Sequence, residues 1–109
     1  LIADVTAHAL RQAIAEPSLA GCYHLAAGGE THWQAYARHV VAGALARGAT
    51  LRAVPERITA IRSDDYLTPA RRATNSRLDC RKLQTAFGLT LPDWRVGVDR
   101  VLDELISRA

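Results

Sequence analysis

Residues 21–48 read GCYHLAAGGETHWQAYARHVVAGALARG, and most of the secondary-structure signals of the chain lie in this stretch. Its short apolar run over residues 22–27 lies between glycines, which is typical of a buried β-strand. After the Gly-Gly turn, Thr31 and Gln34 have the spacing of a capping box, and apolar residues then recur with a helical period as far as Gly48. The stretch therefore predicts a strand, a tight turn and an amphipathic helix, with Cys22 as a small buried residue of the strand.

Three further helices are predicted on either side of this stretch. Apolar spacing favours a helix over residues 2–16, which Pro17 ends because the residue before a proline is pushed out of the helical region. A short helix up to Phe87 has Asp79 as its expected cap, and a last helix begins at Trp94 after the expected cap Asp93.

Helix, strand and helix alternate here as they do in α/β proteins. Residues 51–54 and 58–61 are weaker strand candidates. The prediction gives about four helices and two or three short strands. So few strands cannot make a complete parallel sheet. We therefore expect the C-terminal portion of an α/β fold, which taken by itself would be of the α+β class.

Composition excludes several classes of protein. The chain has 109 residues, of which 49% are hydrophobic and 23% charged, as in globular rather than disordered proteins. A net charge of +3 gives no reason to expect a nucleic-acid partner. No apolar run approaches the roughly 18 residues of a membrane helix. Two cysteines do not make a disulfide framework, and we expect a cytoplasmic protein without a membrane partner.

The start of the chain is unusual. The chain contains no methionine, and residues 1–5 already follow the apolar pattern of a helix interior without a cap before it. A natural N-terminus more often begins in a loop, so we expect a piece of a longer protein.

The common catalytic and metal motifs are absent from the sequence. It contains no G-x-G-x-x-G, no Walker A run, no G-x-S-x-G and no Tyr-x-x-x-Lys pair, and Lys82 is its single lysine. His32 and His39 share a predicted helix face but lie roughly 10 Å apart along the axis, too far to bind one zinc ion together. The histidines are therefore expected to be scattered surface or half-buried residues rather than metal ligands.

The polar stretch over residues 63–77 contains the residues best suited to binding a ligand. Three arginines there offer planar, always charged forks for phosphate oxygens, and an amide and a hydroxyl lie between them. These residues form a candidate diphosphate or nucleotide cradle: Arg71, Arg72, Asn75, Ser76 and Arg77. Alternatively, the arginines solvate a long loop and pair with neighbouring aspartates.

Residues 66–79, YLTPARRATNSRLD, resemble the Y-x-T-P-A-x-R-P-x-N-S-R-L segment of the dTDP-4-dehydrorhamnose reductases. The flanking GCYHL, THWQAYA and LPDW segments are similar to the same family, in the same order, so the resemblance covers essentially all 109 residues. Ala73 stands where the family commonly has proline, and Cys80 stands where threonine is usual.

The resemblance implies a fold and an activity. These reductases are extended short-chain dehydrogenase/reductases with a Rossmann-type fold, and they reduce dTDP-4-dehydro-L-rhamnose to dTDP-L-rhamnose with NADPH or NADH. Residues 1–109 are similar to the C-terminal substrate-binding region alone. The N-terminal Rossmann part, with its cofactor loop and catalytic Tyr/Lys pair, has no counterpart here. The resemblance therefore implies an enzyme as the parent, no catalytic residue in this chain and no activity of the chain alone.

The resemblance also assigns roles to individual residues. Arg71, Asn75, Ser76 and Arg77 are expected to face the dTDP-sugar, with Arg72 a weaker candidate. Some relatives are homodimers that hold Mg²⁺ near the subunit contact, and Glu104 matches one ligand position. The alternative for Glu104 is a solvated helix residue.

Other functions stay open at this point. The parent could be another nucleotide-sugar reductase or epimerase, or a non-catalytic homologue that serves as a binding or regulatory subunit. A freestanding α+β binding module is a further alternative. If the chain is part of a larger enzyme, the first helix should expose apolar residues around Val5, Leu10 and Ile14, and the isolated piece should form a homodimer or otherwise self-associate.

Overall fold

The chain forms two compact units. The computed structural model describes residues 1–62, 65 and 73–106. The first unit contains Leu1–Gly29 and Arg77–Trp94, and the second contains the described residues of Glu30–Ser76 and Arg95–Ala109. Four α-helices lie within the described residues: α1 (Ile2–Ala15), α2 (Trp33–Ala46), α3 (Arg81–Phe87) and α4 (Trp94–Ile106). Short 3-10 helices lie at Pro17–Leu19 and Pro55–Arg57. The four predicted helices are thereby confirmed.

The core of the first unit lies between α1 and α3. Val5 of α1 packs with Leu83 and Phe87 of α3, and these side chains are only 8%, 4% and 4% exposed. The positions i and i+4 share one face of a helix, so Leu83 and Phe87 project to the same side of α3. Partly buried apolar residues complete this core: Ala9, Leu19, Tyr23, Leu25, Ala86, Leu89 and Leu91.

The ends of α1 and α3 follow from the sequence. Glu16, before Pro17, has the extended backbone angles φ −133° and ψ 90°, and its N–H still donates to the Gln12 carbonyl. At the start of α3 the N-cap is Cys80, not the predicted Asp79, although Asp79 Oδ1 accepts the Arg81 N–H at 3.0 Å. At its end, Gly88 takes the left-handed conformation at φ 61°, which glycine adopts without steric cost.

The predicted strand over residues 22–27 is wrong. Among the described residues there is no β-strand, and the segment contributes one isolated parallel bridge, between Gly28 and Asp93. There the Gly28 N–H donates to the Pro92 carbonyl at 2.7 Å. A Cβ at Gly28 would lie 2.9 Å from the Leu91 carbonyl oxygen, so this approach requires glycine. A strand needs a neighbouring strand with which to form successive hydrogen bonds, and no described segment pairs with residues 22–27 in this way. Cys22 is correspondingly exposed, not buried as predicted.

The predicted capping box at α2 is also wrong. His32, not Thr31, is the N-cap, and its Nδ1 accepts the Ala35 N–H at 3.2 Å. Gln34 instead donates through Nε2 to the Ile58 carbonyl at 2.9 Å. That carbonyl also accepts from Arg38 at 3.1 Å, so side chains occupy the acceptor that a strand over residues 58–61 would use for its ladder. Residues 51–54 form no strand either.

The second unit contains a close contact between α2 and α4. A Cβ added at Gly43 would lie 2.7 Å from Leu102 Cδ1, so the two helices approach closely at the glycine. One turn further along α2, Arg47 donates to Asp103 at 2.6 Å and to the Asp99 carbonyl at 3.3 Å. His39 lies 2.9 Å from Asp99 on the same side. Gly43, with the polar pairs of His39 and Arg47 on either side of it, therefore sets how α2 and α4 align along their contact.

The outer face of α1 exposes apolar side chains, as expected in part. Leu10 and Ile14 are 59% and 74% exposed. Val5, the third residue predicted on this face, is instead buried against α3. The sequence shows which residues of α1 are apolar, but these residues lie on two sides of the helix. Only the side that contains Val5 faces α3, and the apolar pattern alone does not identify that side.

We expect Leu83→Ala to lower the free energy of unfolding by about 2–5 kcal/mol, because it removes a leucine that is 4% exposed and leaves a cavity. The matched control is Leu10→Ala, which should change stability by no more than about 0.5 kcal/mol in the 109-residue chain. Urea unfolding followed by circular dichroism measures both. Equal losses would contradict this core.

We expect Gly97→Ala to stabilise the chain by about 0.5–1 kcal/mol, because alanine favours the helix and a Cβ there meets no atom within 4 Å. Gly43→Ala offers the same gain in helix propensity, but Leu102 must shift to admit the methyl group. Its change in thermal midpoint should therefore fall below that of Gly97→Ala. A larger gain for Gly43→Ala would show that α2 and α4 do not meet at this glycine.

Candidate functional site

The predicted substrate-binding residues fall only partly within the described structure. Arg71 and Arg72 lie outside the described residues. Asn75, Ser76 and Arg77 are exposed and belong to a stretch without regular secondary structure that leads towards α3. Arg77 is part of the first unit, which continues from there to Trp94.

Asp79 and Arg81 form a tight ion pair in the turn that enters α3. Arg81 Nη2 lies 2.5 Å from Asp79 Oδ2, and its Nε also donates to the carboxylate. Hydrogen bonds from the Arg81 side chain and backbone, with smaller contributions from the charges of Arg81 and His24, lower the pKa of Asp79 to about 2. Asp79 in turn raises the pKa of Arg81. Both groups face solvent, so the pair organises the turn more than it stabilises the fold.

Lys82 connects the start of α3 to the segment before the Gly-Gly turn. Its Nζ donates to the Cys22 carbonyl at 2.9 Å and lies 4.6 Å from the centre of the Tyr23 ring. Tyr23 is itself held, since its hydroxyl donates to the Leu19 carbonyl at 2.7 Å and its ring meets Phe87 edge-on at 5.1 Å. The Lys82 ammonium group therefore contacts a segment, around Tyr23, that is itself fixed by a hydrogen bond and a ring contact.

Sequence reasoning did not assign this role to Lys82. The signal that could have found it is the composition, because one lysine among fourteen basic residues stands out. A compact ammonium group on a flexible stem can donate to a carbonyl and contact a ring face at the same time.

Two depressions lie on the first unit. One, of about 570 Å³, is lined by Asp79, Arg81, Lys82, Thr85 and Ala86. The other, of about 350 Å³, is apolar and lies between α1, α3 and residues 19–25. In the depression lined by Asp79, Arg81 and Lys82 both cations already have partners in the protein, so its residues are suited to positioning the backbone rather than to acid–base chemistry.

Three of the four histidines make contacts within the fold. His8 lies 2.6 Å from the amide nitrogen of Gln12 and 3.3 Å from the Phe87 carbonyl oxygen, His32 caps α2, and His39 pairs with Asp99. The described part of the chain contains no group of three or more His, Cys, Asp or Glu residues that could hold a metal ion.

Glu104 does not fit a Mg²⁺ site built by this chain. Its Oε1 accepts from Arg100 Nε at 3.3 Å, one helical turn earlier. Mg²⁺ prefers an octahedral set of oxygen ligands, and a single carboxylate paired with a guanidinium does not supply one.

None of the helices described by the structure combines the length and the apolar character needed to cross a membrane.

Residues 1–107 match the RmlD substrate binding domain. The chain belongs to this family. It is 49% identical over 107 residues to a dTDP-4-dehydrorhamnose reductase of Escherichia coli and 48% identical to one of Salmonella typhimurium, and it is 38% identical over 111 residues to one of Burkholderia thailandensis. Each comparison covers 98% of this chain.

Family membership confirms the resemblance that the N-S-R-L-D segment and its flanks suggested. The chain spans about a third of the length of the curated relatives it matches, 35% of the Escherichia coli protein and 37% of the Burkholderia protein. The substrate-binding domain family fits a fold of the short-chain dehydrogenase/reductase type. The strands expected for an α/β fold, or for an α+β class of the chain by itself, are not confirmed, because the described residues form helices without strands.

The Asp79–Arg81 pair can be tested by titration. We expect a pKa of about 2 for Asp79 in the folded chain, measured from the carboxyl carbon by NMR. The pair thus stabilises the fold above the ordinary carboxyl pKa, and this contribution is lost as the pH falls through the lowered value. Arg81→Met should return the pKa towards about 3.9. An unchanged pKa in this variant would show that another group lowers it.

Proposed function

We propose that this chain is the substrate-binding region of a dTDP-4-dehydrorhamnose reductase, the enzyme that reduces dTDP-4-dehydro-L-rhamnose to dTDP-L-rhamnose in surface polysaccharide biosynthesis. The observation that carries the proposal is identity of 48–49% over 98% of the chain to proteins of that name. The match to the substrate binding domain over residues 1–107 supports the assignment of the whole chain to that region.

The proposed reaction uses NADPH or NADH, which supplies a hydride to the keto carbon when bound. The residues of this chain do not form a dinucleotide site, because the sequence has no glycine-rich strand–turn–helix motif and no Tyr-x-x-x-Lys pair. The contribution of this chain is therefore to bind and orient the nucleotide-sugar, as the protein does generally in cofactor enzymes.

We assign the substrate contacts to Arg71, Asn75, Ser76 and Arg77, with Arg72 as a weaker contact. A nucleotide-sugar carries a diphosphate, whose oxygens match the planar fork of arginine, and the amide and hydroxyl can bond the sugar or base. The exposure of Asn75, Ser76 and Arg77 supports this assignment, since each side chain can be reached by a ligand.

The proposal also includes a cytoplasmic location and assembly into a homodimer. Exposed apolar residues support self-association, because apolar surface left in water drives proteins together: Ile14 on α1 of the first unit, and Val101 and Leu105 on α4 in the second. Mg²⁺ is not part of the proposal, since Glu104 is paired with Arg100.

The assay that tests the proposal uses the complete polypeptide carrying this chain. We expect oxidation of NADPH or NADH that depends on dTDP-4-dehydro-L-rhamnose, with dTDP-L-rhamnose as the product. Binding of the nucleotide-sugar without turnover would assign the protein to a non-catalytic binding subunit instead. Turnover of a different nucleotide-sugar with none of this substrate would overturn the proposed specificity.

We expect Arg71→Met and Arg77→Met each to raise KM for the nucleotide-sugar about 10- to 100-fold, because a hydrogen bond to a charged group contributes about 1.5–3 kcal/mol. The value of kcat should change less, since these residues touch the bound nucleotide rather than the reacting carbon. Arg11→Met, an exposed arginine of α1, is the control with the same loss of charge and should leave KM unchanged. Unchanged KM for Arg71→Met and Arg77→Met would contradict the assignment.

A further inference from the structure

Lys82 has an ordered place although its side chain lies at the surface. Its Nζ donates to the Cys22 carbonyl at 2.9 Å and lies 4.6 Å from the centre of the Tyr23 ring. Surface lysines commonly pair with carboxylates, at little net gain. Lys82 instead contacts an uncharged carbonyl and an aromatic face, and these contacts fix its position.

The contacts of Lys82 hold one end of α3, and other residues hold the rest of the helix. The C-terminal end of α3 is held by Phe87, whose ring is buried and whose carbonyl lies 3.3 Å from His8 Nε2. Leu83 holds the middle of the helix in the same core. Lys82 is the second residue of α3, so its contacts hold the N-terminal end.

The segment between Arg77 and Lys82 is short and fixed at several points. The Asp79 carboxylate binds both the backbone and the side chain of Arg81. Cys80, between them, is 9% exposed, and its thiol lies 3.9 Å from the Leu78 carbonyl oxygen. A turn held in this way transmits the position of the start of α3 to the residues that precede it.

We propose that Lys82 is a positioning residue for Arg77, one of the residues that the proposed function assigns to the nucleotide-sugar. The contacts of Lys82 with Cys22 and Tyr23 set where α3 begins, and the Asp79–Arg81 turn then sets where Arg77 enters the first unit. This inference rests on the proposed function. It goes beyond it, because Lys82 itself makes no contact with substrate in this scheme.

The test is a double-mutant cycle in the complete polypeptide that carries this chain. Lys82→Met keeps the length and the apolar stem of the side chain and removes its donors and charge. We expect it to raise KM for the nucleotide-sugar about 3- to 10-fold with little change in kcat. In the background of Arg77→Met the same substitution should raise KM less than about 2-fold, since a residue that acts through Arg77 has nothing left to position.

Each outcome of the cycle decides a separate question. If Arg77→Met raises KM and Lys82→Met multiplies that effect in full, Lys82 acts independently of Arg77 and the inference is overturned. If Lys82→Met alone leaves KM unchanged, the lysine is a solvated surface residue and the inference is overturned as well. If Arg77→Met has no effect, the assignment of Arg77 to the substrate fails and the inference falls with it.

Two further measurements separate positioning from loss of folding. Lys82→Arg retains a charged donor near the Cys22 carbonyl and should restore KM to within about 2-fold of the unmodified protein. Arg11→Met provides the control for loss of one positive charge in the same unit. A drop in kcat for Lys82→Met in proportion to its loss of thermal stability, without rescue by Lys82→Arg, would assign the lysine to folding and overturn the inference.

Discussion

Tyr23 is the residue on which the first unit depends. Its ring meets Phe87 edge-on at 5.1 Å, its hydroxyl donates to the Leu19 carbonyl, and its face receives the Lys82 ammonium group. An aromatic side chain can satisfy all three partners because it combines a large apolar body, a polar tip and a negative face. The segment around Tyr23 thereby stays ordered without the ladder of hydrogen bonds that a strand would provide.

This arrangement explains which parts of the fold could be predicted. The four helices were predictable because their signals are local: apolar periodicity, the proline after Glu16, and Gly88 at the end of α3. The strand over residues 22–27 was not, because an apolar run between glycines fits a strand equally well with or without a neighbour to pair with. The same limit applies to the capping box, where Gln34 had a distant acceptor, the Ile58 carbonyl, that spacing along the chain cannot show.

The candidate site likewise has features that the local sequence could predict and others that depend on contacts between distant residues. The N-S-R-L-D segment identified the family, since its residue order is specific, and the match over residues 1–107 confirms the family. The prediction that Asp79 is the cap of α3 is wrong, because Cys80 is the N-cap; the Asp79 carboxylate accepts the Arg81 N–H from one residue earlier. The contact of Lys82 with Cys22 joins residues 60 positions apart, so it could be seen only once the chain had been folded.

The two cysteines sit in opposite surroundings, and this has a practical consequence. Both thiols are free, but Cys22 is exposed whereas Cys80 is buried at the start of α3. A thiol reagent therefore reaches Cys22 in the folded chain and Cys80 only when the first unit opens. The rate at which the second thiol becomes modified thus measures the opening of this unit. The protein carries its own reporter of local unfolding, with no residue added.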